Sequence, residues 1–505
     1  MEQKTAVASE LSRLSGDSRE SSQLWRRLLI LAVVAGVICR LRQYLANPSF
    51  WSDEAFIVMN LLELSYRGLL NQLHHGQAAP PLFLWIERAA MQVGGLNEYS
   101  LRALPLVCGT AALVFYAIAV RRILPPPMAF VAMAMLALTE RLIVYSAEVK
   151  QYIGDVMIST LLLMLATMPR QSPLRRLVQV TLAASILVWM SHPTVCVFGG
   201  VSAVLCLEIW RNGRNRERII AFACNALMLA SFATLYFFSI RIENSPWMHA
   251  AWHDDFPDYA HPASIPRWVI RQGYEFLASP YRMVGPLIVI AFFLGIGYLS
   301  WKRRFAVLGL LGGPILLSIL AAFAQKYPFN SSRLTLYLLP QVFILCAFGF
   351  ELLREVLPGK IAIAWWALAA PILAVAIGQG ALHFVHPQYR SHIRPIVAYV
   401  RAHRAPGEGI YLAGVPGNLD PDPTVGRHLE FLCYWQHPDP PLHTLLPRSW
   451  RDAPEKRFWV TYAFHAEKGS TWQQALLNDV RAVADEKDHI IDPRGGAAYL
   501  FQKRE

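Results

Sequence analysis

The feature that most constrains this chain is a series of apolar runs close to 20 residues long between residues 24 and 381. A helix of that length crosses the roughly 30 Å hydrocarbon core of a bilayer. Backbone groups in lipid have no water to bond, so each run must close its hydrogen bonds internally as a helix. Eleven spans are predicted, at 24–42, 101–120, 127–146, 152–169, 174–191, 193–210, 219–240, 284–301, 305–324, 333–353 and 361–381. The first contains an uninterrupted apolar run of only 12 residues, Leu28–Cys39, a length that also suits a secretion signal. No small-residue cleavage site follows, and Arg40 and Arg42 come straight after. An anchored span with snorkelling end arginines is therefore expected.

Composition enters as a check. Charged residues are 16% of the chain and hydrophobic ones 54%, against about 25% charged in soluble domains. A soluble enzyme, a disordered chain, collagen and a coiled coil are all excluded on these figures. The net charge of +12 would suggest nucleic acid, but its location argues otherwise. With the N-terminal tail, residues 1–23, in the cytoplasm, fourteen Lys and Arg fall in the short inner connections: Arg121-Arg122, Arg170, Arg175-Arg176, Arg211, Arg214, Arg216, Arg218, Lys302-Arg303-Arg304, Arg354 and Lys360. Only Arg141, Lys150, Lys326 and Arg333 fall in the short outer ones. This is the positive-inside pattern, and it needs no nucleic acid. An odd number of spans leaves the C-terminus outside. Of the seven cysteines only Cys433 lies outside apolar runs, and no CxxC pair suggests zinc or a disulfide framework.

Three outer segments are long. They are 43–100, the aromatic-rich 241–283, and the region from 388 to 505. The last alternates helix and strand patterns: a helix over Ile393–His403, a strand over Gly409–Ala413, a strand over Arg457–Ala463, a helix over Trp472–Val483 and a strand over Ala497–Gln502. A small α/β domain on the outer face follows. The expected architecture is thus mainly α and polytopic, with the membrane region at 24–385.

The outer segments also hold the candidate chemistry. Ser52-Asp53-Glu54 opens an amphipathic stretch running from Ala55 to Leu73. Ser52 can cap that helix, with Asp53 and Glu54 in its first turn. Acids at a helix start are commonplace, but beside a membrane surface the pair is also placed to supply a base to a lipid-borne substrate. Tyr145, Glu148, Lys150 and Tyr152 cluster at the outer end of the third span. If helical, Tyr145, Glu148 and Tyr152 share a face that Lys150 does not. The alternative is an interfacial belt of Tyr and charges. His192 sits in a short outer turn, Ser191-His192-Pro193. Arg333 ends a polar loop before span ten, where a guanidinium can grip phosphate with two hydrogen bonds or simply anchor the span.

The order of these elements resembles a family, the GT-C glycosyltransferases of the bacterial family 39 type, relatives of the protein O-mannosyltransferases and the lipid A aminoarabinose transferase. The matching residues are Trp51-Ser52-Asp53-Glu54-Ala55, then Pro80-Pro81-Leu82 leading to Arg88, then Glu98 to Arg102. Tyr145-Ser146-Ala147-Glu148-Val149-Lys150-Gln151-Tyr152 resembles the family's acid-x-Arg-x-Tyr element, with Lys150 in place of Arg. Tyr327-Pro328-Phe329, Arg333-Leu334 and Pro340 complete the likeness. It spans about 40–240 and 325–345 and is weak in the C-terminal region.

The resemblance implies an enzyme of the bacterial inner membrane that uses a polyprenyl-phosphate-linked sugar as donor and a cell-envelope lipid, glycan or protein as acceptor. Asp53, paired with Glu54, is then the general base. Phosphate is a tolerable leaving group, so a base plus cations on the departing oxygens suffices. Arg333 and Lys150 are the candidates for those cations, with Tyr152 and His192 completing the donor site. Glu148 is a candidate ligand for a divalent cation. Two other readings compete. A transporter or flippase of lipid-linked sugars should carry polar or broken helices at mid-membrane, whereas here the charge concentrates in outer loops. A membrane-anchored scaffold leaves the ordered loop residues unexplained.

Overall fold

The structure is a computed structural model, and it describes residues 2–243, 252–330, 333–357, 365–412, 425–435, 455–463, 471–492 and 496–504. Each of the eleven predicted spans is helical over most of its described residues. They are α1 (Glu2–Ala46), α4 (Glu98–Ile123), α5 (Pro126–Leu138) with α6 (Glu140–Tyr145), α7 (Tyr152–Ala166), α8 (Pro173–Leu187), α9 (Thr194–Asn212), α10 (Asn215–Leu235), α12 (Gly285–Trp301), α13 (Phe305–Phe323), α14 (Leu339–Val356) and α15 (Trp365–Val385). Between them the long connecting segments form α2 (Ser52–Glu63), α3 (Pro81–Gly94) and α11 (Ile265–Ala278).

Eight helices among the described residues are long and apolar enough to cross a membrane unaided. Segments α5, α7 and α8 are shorter, with 13, 15 and 15 residues. Fifteen residues rise only about 22 Å. Helix α7 is mostly buried inside the bundle, so it need not match the bilayer by itself.

The third predicted span is broken. Helix α5 stops at Leu138, and α6 starts again at Glu140. Arg40 explains how a break at that depth is tolerated. Its guanidinium does not snorkel to water: it is 1% exposed and donates to Ala137 O at 2.9 Å. That carbonyl lies in the last turn of α5, where no intrahelical donor remains. A helix C-terminus also favours a cation.

The centre of the bundle is α14. In it, every residue from Leu339 to Glu351 is buried. It approaches α12 so closely that a Cβ on Gly295 would lie 1.8 Å from Leu345 O, and one on Gly349 would lie 2.0 Å from Ala291 O. Small residues at such a crossing let two backbones meet in lipid, where dispersion rather than the hydrophobic effect drives packing.

The C-terminal region has the expected α/β build: α16 (Arg394–His403), β1 (Gly409–Leu412), α17 (Val425–Tyr434), β2 (Arg457–Ala463), α18 (Thr471–Val483), β3 (Ala484–Asp492) and β4 (Gly496–Lys503). The sheet order is β1-β2-β4-β3, parallel between β1 and β2 and antiparallel elsewhere. Strand β3 and helix α17 have no counterpart in the sequence reading. The sequence of β3, Ala-Asp-Glu-Lys-Asp-His-Ile-Ile-Asp, is too charged to read as a strand. It forms a sheet edge, where charge blocks pairing with another chain.

Candidate active site

Helix α2 starts from Trp51, and the hydroxyl of Ser52 does not cap it. That hydroxyl instead donates to Glu430 of α17. Asp53 and Glu54 do occupy the first turn, but their neighbours separate them completely.

Glu54 is fully buried and spends both oxygens on protein. Arg102 Nε donates to Oε1 at 2.9 Å and Arg102 Nη2 to Oε2 at 2.7 Å. The Val149 N–H donates to Oε1 at 2.8 Å, and the Trp51 N–H donates to Oε2 at 3.3 Å. Arg102 in turn holds Pro48 O at 2.6 Å and Ser49 O at 3.2 Å. This pair therefore ties α2, α4 and the turn after α6 together. The sequence expectation of a catalytic Glu54 meets a carboxylate with no face toward a substrate.

Asp53 faces a different set. Arg333 Nη1 is ion-paired with Oδ2, and Lys150 Nζ lies 3.6 Å from Oδ1. Lys150 also donates to Gln77 Oε1 at 3.0 Å. The Arg333 guanidinium lies over the rings of Tyr152, at 5.5 Å, and Trp252, at 5.7 Å. Burial pushes the Asp53 carboxyl up, but the charges of Lys150, Arg333 and Arg390 outweigh it and hold the group below the usual carboxylate range. Burial likewise pulls the Lys150 ammonium down, against the opposing pull of Asp53.

Of the two alternatives for residues 145–152, the helical face does not form, and a connection between the spans ending at 146 and starting at 152 does. Residues 146–151 form a turn, closed by Lys150 N–H donating to Glu148 O at 2.7 Å. A turn does not obey helical spacing, so Glu148 and Lys150 both reach the Asp53 neighbourhood. Tyr145 and Tyr152, on either side, meet edge to face at 5.3 Å.

Glu148 is 4% exposed, and its Oε1 lies 2.8 Å from Arg390 Nε. Burial pushes its carboxyl up to about 7, against the lowering effect of Arg390. This donor set does not fit the divalent cation expected from the sequence. The carboxylate already has a guanidinium on it, and among the described residues no three His, Cys, Asp or Glu side chains gather to hold a metal.

His192 is partly buried in the turn before α9. Arg390, which the sequence reading passed over, does belong to the group. It stacks over Trp51 at 4.2 Å and lies 5.5 Å from the Tyr145 ring. Nothing in its spacing marks it, since it reads as one more arginine following a span. The site thus brings together Lys150, Arg333 and Arg390 against Asp53 and Glu148, an excess of at least one positive charge in a nearly closed setting.

No protein-family model and no curated protein matches the chain. Solved structures do. The likeness is one of fold. The structure of ArnT from Cupriavidus metallidurans in the apo state aligns over 95% of this chain and 98% of its own, with a TM-score of 0.52 at 12% identity. The same protein bound to undecaprenyl phosphate aligns over 94% and 98%, with a TM-score of 0.49 at 12% identity. The archaeal oligosaccharyltransferase AglB from Archaeoglobus fulgidus, in complex with an inhibitory peptide and a dolichol-phosphate, covers 76% of this chain and 58% of its own, with a TM-score of 0.43 at 12% identity.

Proposed function

We propose that the protein is an integral membrane glycosyltransferase. In this reading it moves a sugar from a polyprenyl-phosphate donor to an acceptor on the outer face of the bacterial inner membrane, by a single inverting displacement. The N-terminus is cytoplasmic and the α/β domain periplasmic. The observation that carries the proposal is the Asp53 carboxylate held between Lys150 and Arg333, on segments lying at or outside the span ends. The GT-C fold supports it.

The reaction follows from the residues. A donor phosphate entering the site draws Lys150 and Arg333 toward its oxygens. Asp53 then shares its cations and becomes a stronger base. It takes the proton from an acceptor hydroxyl or amine as that atom attacks the anomeric carbon. The bond from the anomeric carbon to the phosphate oxygen breaks, and its electron pair leaves on the phosphate. Lys150 and Arg333 stabilise the charge that develops there. Tyr152 keeps Arg333 in place through its ring face. Glu54 and Arg102 hold the base in register without touching substrate. His192 remains a candidate donor contact through its place in an outer turn.

Purified protein in detergent, incubated with a panel of labelled polyprenyl-phosphate sugars and envelope acceptors, tests this. Transfer of label with matching release of polyprenyl phosphate is the expected result. Movement of intact donor across a proteoliposome, without that release, would make the protein a carrier instead.

A further inference from the structure

The glycosyltransferase reading assigns two cations to the donor phosphate and leaves a third without a task. We propose that Arg390 is a third contact for the lipid phosphate, delivered by the segment that joins the last span to the outer α/β domain. The inference rests on the donor-phosphate reading of the site.

Three observations support it. The first is exposure. Arg102, the arginine that braces Glu54, has 1% of its side chain exposed. Arg390 has 27% and Arg333 25%. Arg390 therefore resembles the arginine that faces the site rather than the one sealed inside the fold. The second is position. Arg390 lies over Trp51, two residues before Asp53, and beside Tyr145. Its charge reaches Asp53 and helps hold that carboxyl down.

The third is the care with which its segment is fixed. Ser391 Oγ donates to Glu430 Oε2 at 2.6 Å, and the other oxygen of Glu430 takes the Ser52 hydroxyl. One buried carboxylate thus joins the residue after Arg390 to the residue before Asp53. His392 Nδ1 lies 3.2 Å from Ser49 Oγ, and the Arg394 N–H donates to that same oxygen at 3.1 Å. Arg394 pairs with Glu98 at 2.7 Å. Tyr434 donates to Glu98 at 2.6 Å and accepts from the Phe50 N–H at 2.6 Å. Through Glu430, His392, Arg394 and Tyr434, the segment after Arg390 and the end of α17 are thus bonded to Ser49, Phe50 and Ser52. A span-end anchor needs none of this. A guanidinium that must arrive within hydrogen-bonding reach of a substrate does.

The competing explanation is that Arg390 serves only to neutralise Glu148. The two explanations predict opposite signs for one variant. If Arg390 contacts phosphate, then above pH 7, where Glu148 is ionised, Glu148→Gln frees it and removes a negative charge from beside the anion, so phosphate binds as tightly or more tightly. If Arg390 only braces Glu148, Glu148→Gln damages the site as Arg390→Ala does.

The experiment is equilibrium binding of undecaprenyl phosphate to the full-length protein in detergent, at equal amounts of folded material. Arg390→Ala should weaken binding by about 10-fold or more, the loss of one charge-assisted hydrogen bond. Arg390→Lys should fall between, because it keeps the charge but loses the fork. Glu148→Gln should equal or exceed wild type. Binding by Arg390→Ala equal to wild type overturns the proposal. So does a Glu148→Gln loss that matches Arg390→Ala with no further loss in the double variant. Should Arg390→Ala not fold, the lysine and glutamine variants decide alone. A wild type that binds no undecaprenyl phosphate would overturn the donor-phosphate reading itself.

Discussion

Replacing Glu54 with Gln leaves the Arg102 guanidinium buried without its counter-charge. Breaking a buried pair from one side typically costs about 3–5 kcal/mol. Glu54→Gln should therefore lower the Tm in detergent by several degrees, while the protein that remains folded turns over at a rate closer to wild type. A variant that kept its Tm and lost only turnover would return Glu54 to the chemistry. Glu148 makes a prediction in pH. Its folded carboxyl titrates near 7, above the roughly 4.3 of a free glutamate. The folded state therefore binds the proton more tightly, and its relative stability is lost as pH rises from about 4.5 through 7. Glu148→Gln, which cannot ionise, should gain on wild type in Tm across that window. A difference between the two that stays constant with pH would mean that Glu148 is not held protonated. Arg333→Ala should cost about 10–150-fold in donor kcat/KM, with acceptor KM at saturating donor little changed. Unchanged donor kinetics would reduce Arg333 to a span anchor. At this scale Lys150 and Arg333 were legible because Lys and Arg are few in the short connections read as outer, and Asp53 because it opens an amphipathic helix beside a span. The division of labour between Asp53 and Glu54 was not, because it depends on Arg102, 48 residues further along the chain.

Helices were legible because lipid forces the issue: an apolar run that must close its own hydrogen bonds has few alternatives. The connection between the spans at 146 and 152 was legible too, but not which side chains its turn brings together, since helical spacing holds only where a helix exists. The break at Thr139 was also hidden, because it is tolerated through Arg40, from another helix. Strand β3 escaped because an edge strand dressed in charge reads as a loop. The crossing of α12 and α14 gives the element-scale prediction. Gly349→Ala would place a methyl 2.0 Å from Ala291 O, backbone that cannot step aside. Overpacking of this kind costs typically 1–3 kcal/mol or more. Gly349→Ala should lower both Tm and membrane yield, while Gly297→Ala on the same helix as Gly295, where a Cβ meets nothing within 4 Å, should not. Equal behaviour of the two would mean that the helices are not in such close contact.

For the molecule as a whole, the loop charges predict an orientation of the chain. Reporter fusions at Pro127 and Glu505 should read cytoplasmic and periplasmic respectively, and a cytoplasmic Glu505 would overturn the topology. That orientation puts the base, the cations and the α/β domain on one side of the membrane, where a lipid carrier can present its phosphate at the surface. The sequence showed that such a domain exists. It did not show that the domain is bonded to the start of α2, because those contacts join residues more than 300 positions apart. The central claim is that Asp53 is the base of a sugar transfer. It is tested most directly by comparing Asp53→Asn with wild type, at equal folded protein, in transfer of label from a polyprenyl-phosphate sugar, with undecaprenyl phosphate binding measured alongside. Loss of a general base costs about 10²–10⁴-fold in rate, so turnover should fall by that factor while the phosphate lipid still binds. An Asp53→Asn protein that transfers sugar at the wild-type rate would contradict the account.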